Sequence, residues 1–111
     1  MLKKVDKKYF KVLFEENTMA HVIEMFSEGC DVCNVLNSDL EKLAKDLTKD
    51  YIFVKVDVDE QPDLAELLAP DGVPTIYLYK SGKLAEIAYP DSGYSYEYLK
   101  ESILKEKNLE E

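Results

Sequence analysis

The spacing of apolar residues changes period several times along the chain, and each change predicts an element. Lys7 to Glu16 sets Tyr9, Phe10, Val12, Leu13 and Phe14 among lysines and glutamates, the pattern of a short amphipathic helix ending near Asn17. Val22 to Phe26 is apolar on both faces except at Glu24, as a central strand covered on both sides would be. From Cys33 onward, Leu36, Leu40, Leu43 and Leu47 recur at helical spacing while Asp39, Glu41, Lys42, Lys45 and Asp46 take the other face. Tyr51 to Val58 then alternates Ile52, Val54, Val56 and Val58 against Phe53, Lys55 and Asp57, a strand rich in β-branched residues. A third helix opens at Pro62, whose missing N–H costs nothing in a first turn, and ends before Pro70. Thr75 to Tyr79 and Leu84 to Tyr89 flank the polar segment Lys80 to Lys83 and predict an antiparallel hairpin. A last helix, about Tyr96 to Lys107, turns Leu99, Ile103 and Leu104 inward.

This order predicts an α/β fold: a central mixed sheet of four to five strands flanked by helices on both faces. No repeat, low-complexity run or linker interrupts the pattern, so residues 1–111 are expected to form one domain. At 111 residues, with 46% of them apolar, the chain is long enough to bury a core without staples or metals.

Charge narrows the function. The chain carries 14 basic against 23 acidic side chains, a formal charge of −9, and no basic run longer than two residues. Such a surface repels phosphate backbones, which argues against nucleic acid as a partner. No apolar stretch approaches the roughly 20 residues of a membrane span, and the N-terminus shows no signal-peptide pattern. A cytoplasmic protein is expected, with no membrane partner.

Both cysteines lie in Cys30-Asp31-Val32-Cys33, between the strand ending at Phe26 and the amphipathic helix. At a helix N-terminus, unpaired N–H groups and the positive end of the dipole stabilise the thiolate of an exposed first cysteine. The second lies one helical turn on, a spacing that lets the pair close a small disulfide and cycle between dithiol and disulfide. In a reducing compartment such a pair is read as catalytic before structural. A structural zinc site needs four ligands, and one chain adds only His21 and carboxylates to the two cysteines. A dimer contributing Cys30 and Cys33 twice would complete a zinc or iron–sulfur site, and that alternative stays open. His21 itself, at a strand start, is read as structural.

Val22 to Cys33, then Lys55 to Pro62 (KVDVDEQP), then Gly72-Val73-Pro74-Thr75 followed by a strand and Lys80 to Lys83, resemble the thioredoxin family along nearly the whole chain. The resemblance implies a thioredoxin-like fold and a thiol-disulfide oxidoreductase that reduces protein disulfides. Cys30 would be the nucleophile and Cys33 the resolving cysteine. Glu24 matches the family's buried acid and would accept the Cys33 proton, with Lys55 as its tuning partner. Pro74 would be cis, turning the Val73 backbone toward the cysteines to pair with an extended substrate segment. Gly29, Asp31, Val32, Val73, Pro74 and Gly93 would then form the substrate-binding surface. Beyond the redox pair, no cofactor or metal is implied. The expected partners are protein disulfides and a thiol reductase as electron donor, and a monomer is expected.

The chain departs from the family pattern at the site itself. The acid is usually aspartate rather than Glu24. Thioredoxins proper commonly carry tryptophan before the first cysteine, Gly-Pro between the two and a basic residue after the second, where this chain has Gly29, Asp31-Val32 and Asn34. Asp31 complements the helix dipole but sets a negative charge beside the Cys30 sulfur, two effects of opposite sign. The glutathione-binding Gly-Gly-x-Asp stretch of glutaredoxins is absent, with Gly93-Tyr94 in its place. A second alternative is therefore a thioredoxin-fold binding module whose cysteines do not cycle.

Overall fold

The computed structural model describes residues 2–16, 19–89 and 95–106. In chain order these form β1 (Lys3–Lys4), α1 (Lys7–Glu15), β2 (Ala20–Phe26), α2 (Asp31–Asp46), β3 (Tyr51–Asp57), α3 (Pro62–Leu68), β4 (Thr75–Lys80), β5 (Lys83–Ala88) and α4 (Tyr96–Lys105). The strands build a mixed sheet in the order β1-β3-β2-β4-β5. β1, β3 and β2 run parallel, β4 runs antiparallel to β2, and β5 antiparallel to β4.

The helices begin at residues suited to a first turn. Asp6 accepts from the Tyr9 N–H at α1, the Ser95 hydroxyl accepts from the Tyr98 N–H at α4, and Pro62 stands in the first turn of α3. β3 stops at Asp57, whose buried carboxylate accepts from the N–H groups of Asp59 and Glu60 and turns the chain. In the β4–β5 hairpin, Ser81 and Gly82 both adopt positive φ (51° and 81°). That is the requirement of a two-residue turn whose twist matches the strands.

Side-chain alternation sorts the core into two layers. Ala20 and Val22 of β2, Phe53 of β3 and Ile76 of β4 pack under Leu36, Leu40 and Leu43 of α2 and Leu99 and Ile103 of α4. On the other face, Ile23, Met25, Val54, Val56 and Tyr77 pack against Phe10 and Leu13 of α1 and Leu64 and Leu68 of α3. Helices therefore cover both faces, and β2 is buried along its whole length.

Some expectations are corrected. β1 was not predicted, because two exposed lysines carry no periodic signal; its anchors are the flanking Leu2 and Val5, both buried. α4 ends at Lys105, and Leu104 is half-buried rather than inward, lying about 100° around the helix from Ile103. Lys107 and Gly93 lie outside the described residues.

His21 is buried in β2, and its polar atoms are satisfied. Nδ1 lies 2.8 Å from the Met19 carbonyl, which only accepts, so Nδ1 carries the proton and Nε2 accepts from the Tyr9 hydroxyl at 2.6 Å. Burial lowers the imidazole pKa against the smaller opposing pull of the Met19 carbonyl. The folded chain thus binds this proton less readily than the unfolded one. The pair's contribution is complete above the ordinary histidine value of about 6.5 and is lost as pH falls below it. Tyr9→Phe is expected to cost about 1 kcal/mol in urea unfolding at neutral pH, with the penalty shrinking in acid as the imidazole charges. A penalty that stays constant with pH would refute the assigned tautomer.

Candidate active site

β2 delivers the chain to the cysteines through a tight turn in which the Cys30 N–H donates to the Ser27 carbonyl, 3.1 Å away. Cys30 is the N-cap of α2: its sulfur accepts from the Cys33 N–H at 3.1 Å, while its carbonyl accepts from the Asn34 N–H. The two cysteines are joined in a disulfide with their Cα atoms 5.2 Å apart. They are not equivalent. Cys30 is partly exposed, whereas Cys33 is only 3% exposed and begins the inward stripe continued by Leu36 and Leu40. An incoming sulfur therefore has access to Cys30 and not to Cys33.

Glu24 points to the sheet face that α2 covers, since it alternates with Val22 along β2. It is 2% exposed, and its Oε2 atom has no hydrogen-bond partner. Burial pushes the carboxyl up to about 7, a rise that the Lys55 charge only partly offsets. Glu24 and Lys55 are direct neighbours across the β2–β3 pair, so the two side chains share a face. The Lys55 ammonium lies over the Phe26 ring, 4.9 Å from its centroid. The two expected tuning residues are thus brought together.

The remaining expected residues converge through topology. Met25 pairs with Thr75 in the antiparallel β2–β4 ladder, so the loop after β2 and the segment before β4 emerge at one end of the sheet. The Val73–Pro74 peptide bond is cis, and Thr75 ties the loop by donating from its hydroxyl to the Gly72 carbonyl at 2.6 Å. The Val73 side chain packs into the α1/α3 core layer. Gly29 is exposed, and a Cβ built on it would meet nothing within 4 Å, which leaves the approach to Cys30 open on that side. Asp31 and Val32 are exposed on the first turn of α2. Gly93, the remaining residue of the expected surface, lies outside the described residues.

Sequence reasoning missed Val35. It is 77% exposed and stands one turn beyond Val32, 51% exposed, so the two make an apolar ridge beside the disulfide. The available signal was their spacing of three, off the Leu36–Leu40–Leu43 stripe. Among the described residues, no group of three or more histidine, cysteine, aspartate or glutamate side chains is arranged to hold a metal ion.

Comparison with known proteins follows the same outline. A family model described as Thioredoxin matches residues 1–105. The thioredoxin of Acetoanaerobium sticklandii is 30% identical over 89 residues, covering 79% of this chain and 85% of that protein. The thioredoxin of Mycoplasmoides gallisepticum is 32% identical over 65 residues, 59% of this chain, and the match spans 64% of that protein, just short of two-thirds of its length. Among solved structures, mitochondrial thioredoxin 3 from Saccharomyces cerevisiae in its oxidized form superposes with a TM-score of 0.78 at 30% identity, covering 94% of each chain.

The raised Glu24 pKa has a measurable consequence. An ordinary glutamate titrates near 4.5, so the folded chain holds this proton more tightly than the unfolded one. The resulting stabilisation is complete below that value and is lost as pH rises toward 7. Glu24→Gln should gain on the wild type by about 3 kcal/mol in urea-unfolding free energy as pH rises from about 4 to about 8. His21 is common to both proteins and cancels in the difference. A difference that does not change with pH would mean that the carboxylate is solvated.

Proposed function

The chain belongs to the thioredoxin family of thiol-disulfide oxidoreductases, and we propose on that premise that it works as a protein-disulfide reductase. The observation that carries this reading is the asymmetric pair: an accessible Cys30 capping a helix, and a buried Cys33 on that helix, which covers the sheet face where Glu24 is buried with one carboxyl oxygen unpartnered.

In the reduced state the Cys30 thiolate attacks one sulfur of a substrate disulfide. A bond forms between Cys30 and that sulfur, the substrate's own S–S bond breaks, and its other sulfur leaves as a thiolate. The Cys33 N–H, aimed at the Cys30 sulfur, stabilises the attacking charge, with the α2 dipole adding to it. Cys33 then gives its proton to Glu24 and attacks Cys30. The Cys30–Cys33 disulfide closes and the second substrate thiolate departs. Two electrons have passed from the cysteine pair to the substrate. A carboxyl with a pKa of about 7 suits this role, because it is ready to accept or return a proton near neutral pH. An external dithiol protein resets the pair.

The apolar Val32–Val35 ridge and the open side at Gly29 favour protein segments with apolar residues flanking their cysteines. The backbone of the cis-proline loop supplies a short edge for an extended segment. The reading extends to a cytosolic monomer, where thiols are kept reduced and a cycling pair acts as catalyst rather than brace.

Insulin reduction with dithiothreitol as electron source tests the proposal. Wild type should accelerate precipitation of the insulin B chain, Cys30→Ser should show no turnover, and Cys33→Ser should accumulate a mixed disulfide detectable by mass. Glu24→Gln should slow turnover by about tenfold or more. Wild-type turnover no better than that of a Cys30→Ser/Cys33→Ser double variant would sink the reductase reading.

A further inference from the structure

On the sheet face away from the disulfide, α1 and α3 stand apart and leave a groove of about 580 Å³ between them. Phe10 and Leu64 form its floor and are almost fully buried. Phe14 and Leu67 form its walls and are 44% and 62% exposed. Phe14 is held in place by ring contacts to Phe10 and Tyr79, with centroids 5.6 and 5.5 Å away, so the wall is a fixed aromatic surface. One ion pair, Lys7 to Asp63 at 3.1 Å, spans the two helices at the groove.

The charge around this groove runs against that of the whole chain. The sequence carries 23 acidic against 14 basic residues, yet the charged side chains lining the groove are Lys7, Lys8 and Lys11; Lys7 is paired with Asp63, and Lys8 and Lys11 make the cationic side. All three lysines lie in the first five residues of α1. An apolar floor with exposed apolar walls and a cationic rim is the complement of a helix that is apolar on one face and acidic on the other. The gap between two helices accepts such a segment through anchors spaced three or four residues apart.

We propose that the α1/α3 groove is a docking site for an acidic amphipathic helix of a partner protein. Because α2 and the disulfide belong to the opposite layer, a partner seated here leaves Cys30 accessible. The site does not depend on the redox reading.

The test uses the full chain and two Ala-rich helical peptides of about twenty residues. Both carry leucines at i, i+3 and i+7; one has glutamates and the other lysines on the flanking positions. The acidic peptide should bind at least about tenfold more tightly than the basic one, with affinity falling as salt rises. NMR shifts on binding should centre on Phe14 and Leu67. Lys8→Glu/Lys11→Glu should reverse the preference, and Leu67→Glu should abolish binding, while both variants keep the far-UV circular dichroism of the wild type. Cys30→Ser should bind the peptide as wild type does. Equal affinity for the two peptides would overturn the proposal. So would shifts confined to residues outside the groove, self-association of the free protein through this face, or occupation by dodecanoate without peptide binding.

Discussion

Everything at the site depends on β2 having no exposed face. A strand covered on both sides must satisfy or neutralise every polar side chain it carries, because water cannot do so. β2 carries two, and they meet the constraint in opposite ways. His21 is neutral, donating to one neighbour and accepting from another. Glu24 leaves an oxygen unpartnered and meets the cost by holding its proton to an unusually high pH. One is a piece of structure; the other is a store of acidity kept beneath a helix whose first turn carries a reactive sulfur. The strand that makes the carboxyl unusual is also the strand that ends in the cysteine loop, so chemistry and position have a common origin.

Sheet order does the rest of the assembly. β2 is flanked by a parallel neighbour, β3, and an antiparallel one, β4. The parallel pairing sets Lys55 beside Glu24. The antiparallel pairing brings the start of β4, with its cis proline, to the end where β2 stops. An all-parallel sheet would have put the segment before β4 at the opposite end, far from the disulfide.

What was legible in the sequence followed periodicity. The leucine stripe of α2, the alternation of β3 and the lone glutamate inside an apolar strand all mark features that the fold places as expected. The hairpin was visible too, although its turn is only Ser81–Gly82. Other features left no periodic trace. Two lysines do not announce a strand, and β1 exists because Leu2 and Val5 anchor it on either side. Leu99 and Ile103 turn inward as expected, whereas Leu104, at the edge of a wide helical stripe, is only half-buried. The cis bond followed from family resemblance rather than from any property of the residues themselves. Nor can a single helix show what it leaves uncovered: Phe14 reads as one more apolar position of α1 until α3 is seen to stand away from it.

One consequence of the Cys30 geometry lies in thermodynamic linkage. Its sulfur is at once the redox atom and the acceptor that closes the first turn of α2. In the disulfide that acceptor is a neutral, weak one; as a thiolate it carries a full charge, and hydrogen bonds to charged acceptors are the stronger kind. A Cys30 thiolate would therefore hold this hydrogen bond more tightly than the disulfide sulfur does. Whatever free energy the helix gains on reduction appears, with the same magnitude, as a bias of the cysteine pair toward its reduced form. Fraying of α2 and the ease with which the protein gives up electrons are two readings of one equilibrium.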